Sequence, residues 1–269
     1  MKLVFLIAAC CSVLAVALIC IFLFMNGVPA IFKIGPLKFL TGTVWKPGNN
    51  IFGILPMIVG SICVTGLAIL MGVPVAILTS VFLSRYCPKK FYGICKSGIN
   101  LMAGIPSIVY GLFGMLFFVT ALHWGMSLLS GALTMVIMVL PLIMRTAEEA
   151  LKSVPDSYRE ASFGLGAGKL RTIFTIVLPS AVPGILAGVI LAIGRVVGET
   201  AALLYTSGIV AAVPNSLMGS GRTLALHMYV LSSEGLHVNQ ASATAVVILA
   251  FVLVINGLSG LVARKIAKG

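Results

Sequence analysis

Long apolar runs separated by short polar gaps set the pattern of this chain. A membrane-spanning helix needs about 20 mostly apolar residues. Six windows reach that length, at about 3–25, 55–84, 99–122, 126–145, 178–205 and 240–263. The second and fifth are long enough to tilt or to extend beyond the hydrocarbon. The first window holds about 23 apolar residues, more than the roughly 7–15 of a signal-peptide core, so it predicts an uncleaved first helix. The pattern therefore predicts an all-α polytopic membrane protein, 1–269, forming a single transmembrane domain.

Composition agrees. Of the 269 residues, 60% are hydrophobic and 9% charged, and the mean hydropathy is +1.16. A soluble domain carries roughly a quarter charged residues, so the solvent of this chain is largely lipid. The 18 Lys and Arg against 6 acids could suggest a nucleic-acid binder. They lie mainly in the gaps between apolar runs, however, and nowhere interleave with aromatic residues as a nucleic-acid surface requires. With the N-terminus cytoplasmic, thirteen basic residues fall on the inside, among them Lys89, Lys90, Lys152, Arg264, Lys265 and Lys268. Only Lys33, Lys38, Lys46 and Arg222 fall outside. The positive-inside rule then puts both termini in the cytoplasm.

The connections differ in kind. Residues 26–54 and 206–239 read as external loops, the first with one short amphipathic piece and the second carrying His227 and His237 in packing or surface roles. The six cysteines include no CxxC pair and have no histidine near them, so no metal or redox site is predicted. The cytoplasmic connection 145–177 holds four of the six acids. In it "TAEEALKSV" reads as helix, Pro155 and Asp156 stop and restart it with Asp156 or Ser157 as N-cap, and the elbow "GLGAG" leads to a second helical piece. Helix, turn and helix in such a loop suit a docking surface.

This connection also carries a family motif. Glu160-Ala161-Ser162, then Gly166 after three residues, then Ile176-Val177-Leu178-Pro179 after nine more resembles the EAA---G---------I-LP motif of ABC importer permeases, with Ser162 in place of the second alanine. The resemblance implies a type I importer permease fold with six spans and a cytoplasmic coupling helix that docks on a separate ATPase. Small residues at Ala161 and Ser162 suit close approach to that partner, and Gly166 suits the sharp turn. The ATP site must lie on another chain. "GAGKL" at 166–170 is no phosphate loop, because Phe163 and Leu170 stand where Gly and Ser or Thr are needed.

Further stretches narrow the family. "GVILAIGRVVGETAALL", "LMAGIPSIVYGLFGM", "LPLIMRTAEEALKSVP" and "FLTGTVWKPGNNIFGILPMIVGS" resemble the permeases of phosphate ABC transporters. Of their two paralogous types, PstA and PstC, the segment 39–61 leans to PstC. "GETAALL", "RTAEEAL" and the short length lean to PstA, which is favoured. The resemblance implies two copies of an ATPase, a second permease (a paralogue or the chain itself), an extracytoplasmic phosphate-binding protein, no cofactor, and a place in a bacterial or archaeal plasma membrane.

Two charges inside the fifth window need a reason. Arg195 and Glu199 are four residues apart, on one face of a continuous helix, and the same face runs back through Ala192, Gly188 and Gly184. A charge at mid-membrane costs about 2.5–3.5 kcal/mol on insertion scales, so such groups face a bundle interior or an aqueous cavity. The small residues predict close helix packing, with Gly194 and Gly198 leaving room beside it. Arg195 is then a substrate-pathway contact for an anion, with Glu199 holding it between turnovers; a purely structural Arg–Glu pair is the alternative. Arg145, at the end of the fourth window, reads as a positive-inside anchor. Pro106 and Ser107 predict either a kink or a break in the third. Competing functions are an importer of another oxyanion or small solute, a passive channel, and an intramembrane enzyme, for which no nucleophile–base or metal pair exists in the windows.

Overall fold

A computed structural model describes residues 1–235 and 237–268, with side chains described through residue 261. The basic cluster Arg264, Lys265 and Lys268 lies outside the described side chains. The elements in chain order are α1 (Lys2–Ile34), α2 (Pro36–Thr41), β1 (Trp45–Lys46), β2 (Ile51–Phe52), α3 (Leu55–Arg85), α4 (Lys89–Gly104) and α5 (Ser107–Gly114), which continues as a π-helical turn over Met115–Ala121. They are followed by α6 (Leu128–Ser153), α7 (Asp156–Gly164), α8 (Lys169–Thr172), a π turn Ile173–Val177, α9 (Leu178–Val197), α10 (Ala201–Thr206), α11 (Leu224–Glu234) and α12 (Val238–Lys268). Among the described residues, five helical rods are long and apolar enough to cross a membrane, α8 and α9 forming one of them; α4 with α5 makes a sixth if the bent pair is one span.

Helix α6 is the most enclosed of these spans, and small residues on both neighbours explain why. On α3, Ala68, Gly72, Ala76 and Ser80 recur every fourth residue and are all buried. The Ser80 hydroxyl donates to the Met144 carbonyl across the interface at 3.0 Å. On α9, a methyl group at Gly184 would lie 2.6 Å from Ala150 Cβ, and one at Gly188 would collide with Thr146. Two small-residue stripes thus grip α6 from either side, letting backbones approach where no hydrophobic drive separates helix from lipid. The α9 stripe is the one read from the sequence; the α3 stripe, diluted among larger residues, was not.

The third window differs from a straight span. It begins at Lys89, ten residues earlier than its apolar run, and breaks by 96° between α4 and α5. Pro106 is the cause: it has no N–H to continue α4, and it forces Ile105 into an extended conformation (φ −71, ψ 130). The Tyr110 hydroxyl then reaches back to the Met102 carbonyl at 2.7 Å, fixing the bend.

The connections 26–54 and 206–239 are more structured than loops. Helix α1 continues to Ile34, and α2 with the β1–β2 hairpin (Trp45 opposite Phe52) follows. Phe39, Ile54, Met57 and Leu224 are fully buried together. Residues 207–223 are pinned near the N-terminal end of α3, where the Leu224 N–H donates to Ser61 Oγ at 2.9 Å. His227 is fully buried under Trp45, ring centroids 4.2 Å apart, and His237 stands edge-on to Phe52 at 5.9 Å. Along most of its length α1 is exposed, and it meets the rest of the chain at Gly27 and Ala30, with Gly27 against the Ser242 carbonyl of α12.

Candidate translocation face and coupling surface

Arg195 sits in the last turn of α9, and the helix ends two residues later. Gly198, Glu199 and Thr200 are unwound, and α10 begins at Ala201. Arg195 and Glu199 are therefore not partners on one helical face, as their spacing predicts; among the described residues they form no ion pair. Instead Glu199 Oε1 accepts the Ala202 N–H at 3.2 Å. The carboxylate caps the new helix, supplying an acceptor to one of the amides that a helix start leaves free. The helix ends at Gly198, its C-cap, in an ordinary right-handed conformation (φ −86, ψ −3), and an added Cβ at Gly194 would meet open space.

Arg195 faces a different set of groups. A cavity of about 320 Å³ is lined by Arg195, by Ala103 at the end of α4, and by Met138, Pro141, Leu142, Arg145, Thr146 and Glu149 of α6. Arg145, Glu149 and Arg195 are exposed on this surface. Neither arginine pairs with a carboxylate among the described residues. Two guanidinium groups, each with rigid fork-like donors, and one carboxylate thus line one cavity, a set that can hold an oxyanion transiently. Arg145 was legible only as a topological anchor, and Glu149 was unremarkable beside Glu148. Their positions at i and i+4 on α6 were visible, but not that this face of α6 meets the end of α9.

The helices that follow the breaks at Pro106 and Gly198, α5 and α10, lie against each other. Gly111 of α5 meets Ala202 of α10, where a Cβ on the glycine would come within 2.7 Å of the Ala202 Cα. Discontinuous helices at depth free backbone groups and are tolerated where they are packed in protein or line a cavity.

At the other end of α6, Pro155 is the N-cap of α7 without a side-chain bond, so neither Asp156 nor Ser157 takes the predicted capping role. Asp156 instead bonds Arg159 Nη1 at 2.7 Å. "TAEEALKS" is helical, as its sequence predicts, and forms the end of α6. Gly166 has φ +81, the left-handed conformation that favours glycine, and turns the chain from α7 to α8. Ser162 is buried and its hydroxyl lies 2.9 Å from that of Thr172. It therefore ties α7 to α8, and it also lines the groove beside this element. Glu160 and Ala161 are exposed, and Leu165 is 89% exposed. A groove of about 710 Å³ runs beside this element, lined by Tyr158, Ala161, Leu165, Gly166, Arg171 and Pro179 among others.

Spans packed around α6, two broken helices and a helix–glycine–helix element at one end define a membrane permease of the ABC importer type. The fold is similar to that in "Crystal structure of a bacterial ABC transporter involved in the import of the acidic polysaccharide alginate", with a TM-score of 0.63 at 15% identity, covering 98% of this chain and 99% of that one. Residues 68–268 match the family model described as "Binding-protein-dependent transport system inner membrane component", and the chain belongs to that family. It is 32% identical over 235 residues to "Probable ABC transporter permease protein YqgI" of Bacillus subtilis, covering 80% of each. It is 38% identical over 156 residues to "Phosphate transport system permease protein PstA 1" of Mycobacterium tuberculosis. That match takes in 58% of this chain and 51% of the relative, so the chain spans about half the length of that protein.

Proposed function

We propose that this chain is the membrane-spanning subunit, of PstA type, of an ATP-driven phosphate importer in a bacterial or archaeal plasma membrane, with both termini cytoplasmic. The observation that carries the reading is the cavity lined by Arg145 and Arg195 together with Glu149, in which neither arginine forms an ion pair among the described residues. Phosphate-transport relatives support the substrate, and the lopsided Lys and Arg count supports the orientation. The chain itself carries no ATPase. The exposed Glu160–Gly166 element would dock on two copies of a separate ATPase with a second permease alongside, and an external binding protein would deliver the anion. Binding by a few exchangeable guanidinium donors suits transport, because a site that holds too tightly does not release.

Proteoliposomes containing the chain, its partner permease, the ATPase and the binding protein test this. Uptake of radiolabelled phosphate should require ATP and all components and should resist competition by sulfate. Preferential uptake of sulfate would make it a permease for another oxyanion. Uptake that persists without the ATPase would make it a passive channel and remove the role of the coupling element.

A further inference from the structure

Arg85 ends α3 at the cytoplasmic side, and its guanidinium stands where three elements meet. Nη2 donates to the Leu151 carbonyl in the last turn of α6 at 2.6 Å, and Nη1 lies 3.7 Å from Asp156 Oδ1, the first residue of α7. The need for the first bond is written in the sequence. In a continuing helix the Leu151 carbonyl would accept from residue 155, but that residue is Pro155 and has no N–H. Arg85 supplies the missing donor from another helix. Asp156 in turn is shared with Arg159 on α7. The side chain of Arg85 is only 10% exposed, and its Nε–H is buried without a partner among the described residues.

A cap alone needs one donor. A lysine or an amide would satisfy Leu151, and a buried guanidinium with an idle N–H is an expensive way to do so. What the fork adds is simultaneous contact with the end of α6 and the start of α7, while the stem belongs to α3. We propose that Arg85 is the positioning residue that transmits movement of the α7–Gly166–α8 element to α3 and α6, so that displacement of α7 is felt by both helices lining the small-residue interface. This rests on the importer reading above. It assigns Arg85 no contact with the transported anion.

The test uses the assembled transporter in nanodiscs, reading ATP hydrolysis with and without phosphate-loaded binding protein, and uptake in proteoliposomes. R85Q should leave complex assembly and basal hydrolysis within about twofold but reduce stimulation by the loaded binding protein at least about fivefold, the scale of a typical coupling between sites. Adding P155A restores an N–H for Leu151. The double variant R85Q/P155A should stay uncoupled, because the link to Asp156 is still missing. D156N, which leaves the Leu151 bond intact on an exposed residue, should also lower stimulation, so the inference remains testable should R85Q fail to assemble. R85K, which keeps the charge but not the fork, should be intermediate. Stimulation of R85Q equal to the parent, or full rescue by P155A, would overturn the proposal and leave Arg85 a helix cap. A parent complex unstimulated by loaded binding protein would overturn the importer reading, and the latch with it.

Discussion

Glu199 bonds the Ala202 amide, not Arg195, although four residues separate the two charges. The carboxylate therefore serves the helix that follows it, while the guanidinium serves the cavity beside α6. Replacements at the two positions should separate these roles. Glu199→Gln keeps an acceptor oxygen and should retain most transport. Glu199→Ala should lower stability by about 1 kcal/mol, as loss of a helix cap does, read from thermal melting in detergent. A charge swap of Arg195 and Glu199 should not restore function, and restoration would reinstate the ion pair.

Arg145 and Arg195 should behave alike. Arg145→Gln and Arg195→Gln should each reduce phosphate uptake about tenfold or more, since a hydrogen bond to a charged group is worth about 1.5–3 kcal/mol, with assembly unchanged. Uptake by Arg145→Gln equal to the parent would return Arg145 to the role of a topological anchor.

Gly188 packs against Thr146. Gly188→Ala should destabilise the fold by about 1–3 kcal/mol, the usual cost of overpacking, with partial recovery on adding Thr146→Ala. Gly194→Ala, where a Cβ meets nothing within 4 Å, should leave the melting temperature unchanged. Equal effects at both glycines would show that the packing face is not the one described.

His227 makes stability depend on pH. Arg222 Nη1 can only donate, so at 3.1 Å His227 Nδ1 accepts, which keeps the ring neutral. Burial first, and the Arg222 charge second, push its pKa down to about 3. The unfolded chain therefore binds the proton first as pH falls, and stability is lost between pH about 6.5 and about 3, by about 1.4 kcal/mol per pH unit. Above pH about 6.5 this contribution is fully present. Thermal melting at pH 7.5 and 5.0 should show the drop, and His227→Gln should flatten it. A profile equally steep without His227 would assign the dependence to other groups.

Much was readable because lipid imposes simple rules on sequence. A span must be a long apolar run with its backbone bonded internally, so the windows at 55–84, 126–145 and 240–263 contain the cores of α3, α6 and α12. The EAA-type spacing marked α7 and α8, since a tight turn at φ +81 requires glycine at Gly166. Where charge neutralisation and backbone termination compete, spacing misled. The i, i+4 rule presumes a continuous helix, and Gly198 removes that premise between Arg195 and Glu199. The bond of Ser162 to Thr172, ten residues on across the turn, was likewise not visible in the spacing.

The sequence by itself determined the number and approximate placement of the apolar runs, the helix–glycine–helix motif and the small stripe of α9, because each depends on local composition or fixed helical spacing. Only the tertiary structure decided that Arg145 and Glu149 share a cavity with Arg195, that α5 and α10 pack together, and that Arg85 caps α6 across 66 positions. Those are contacts between faces of different helices, and the rotation of one helix against another follows from how whole side chains interlock, which no single segment encodes.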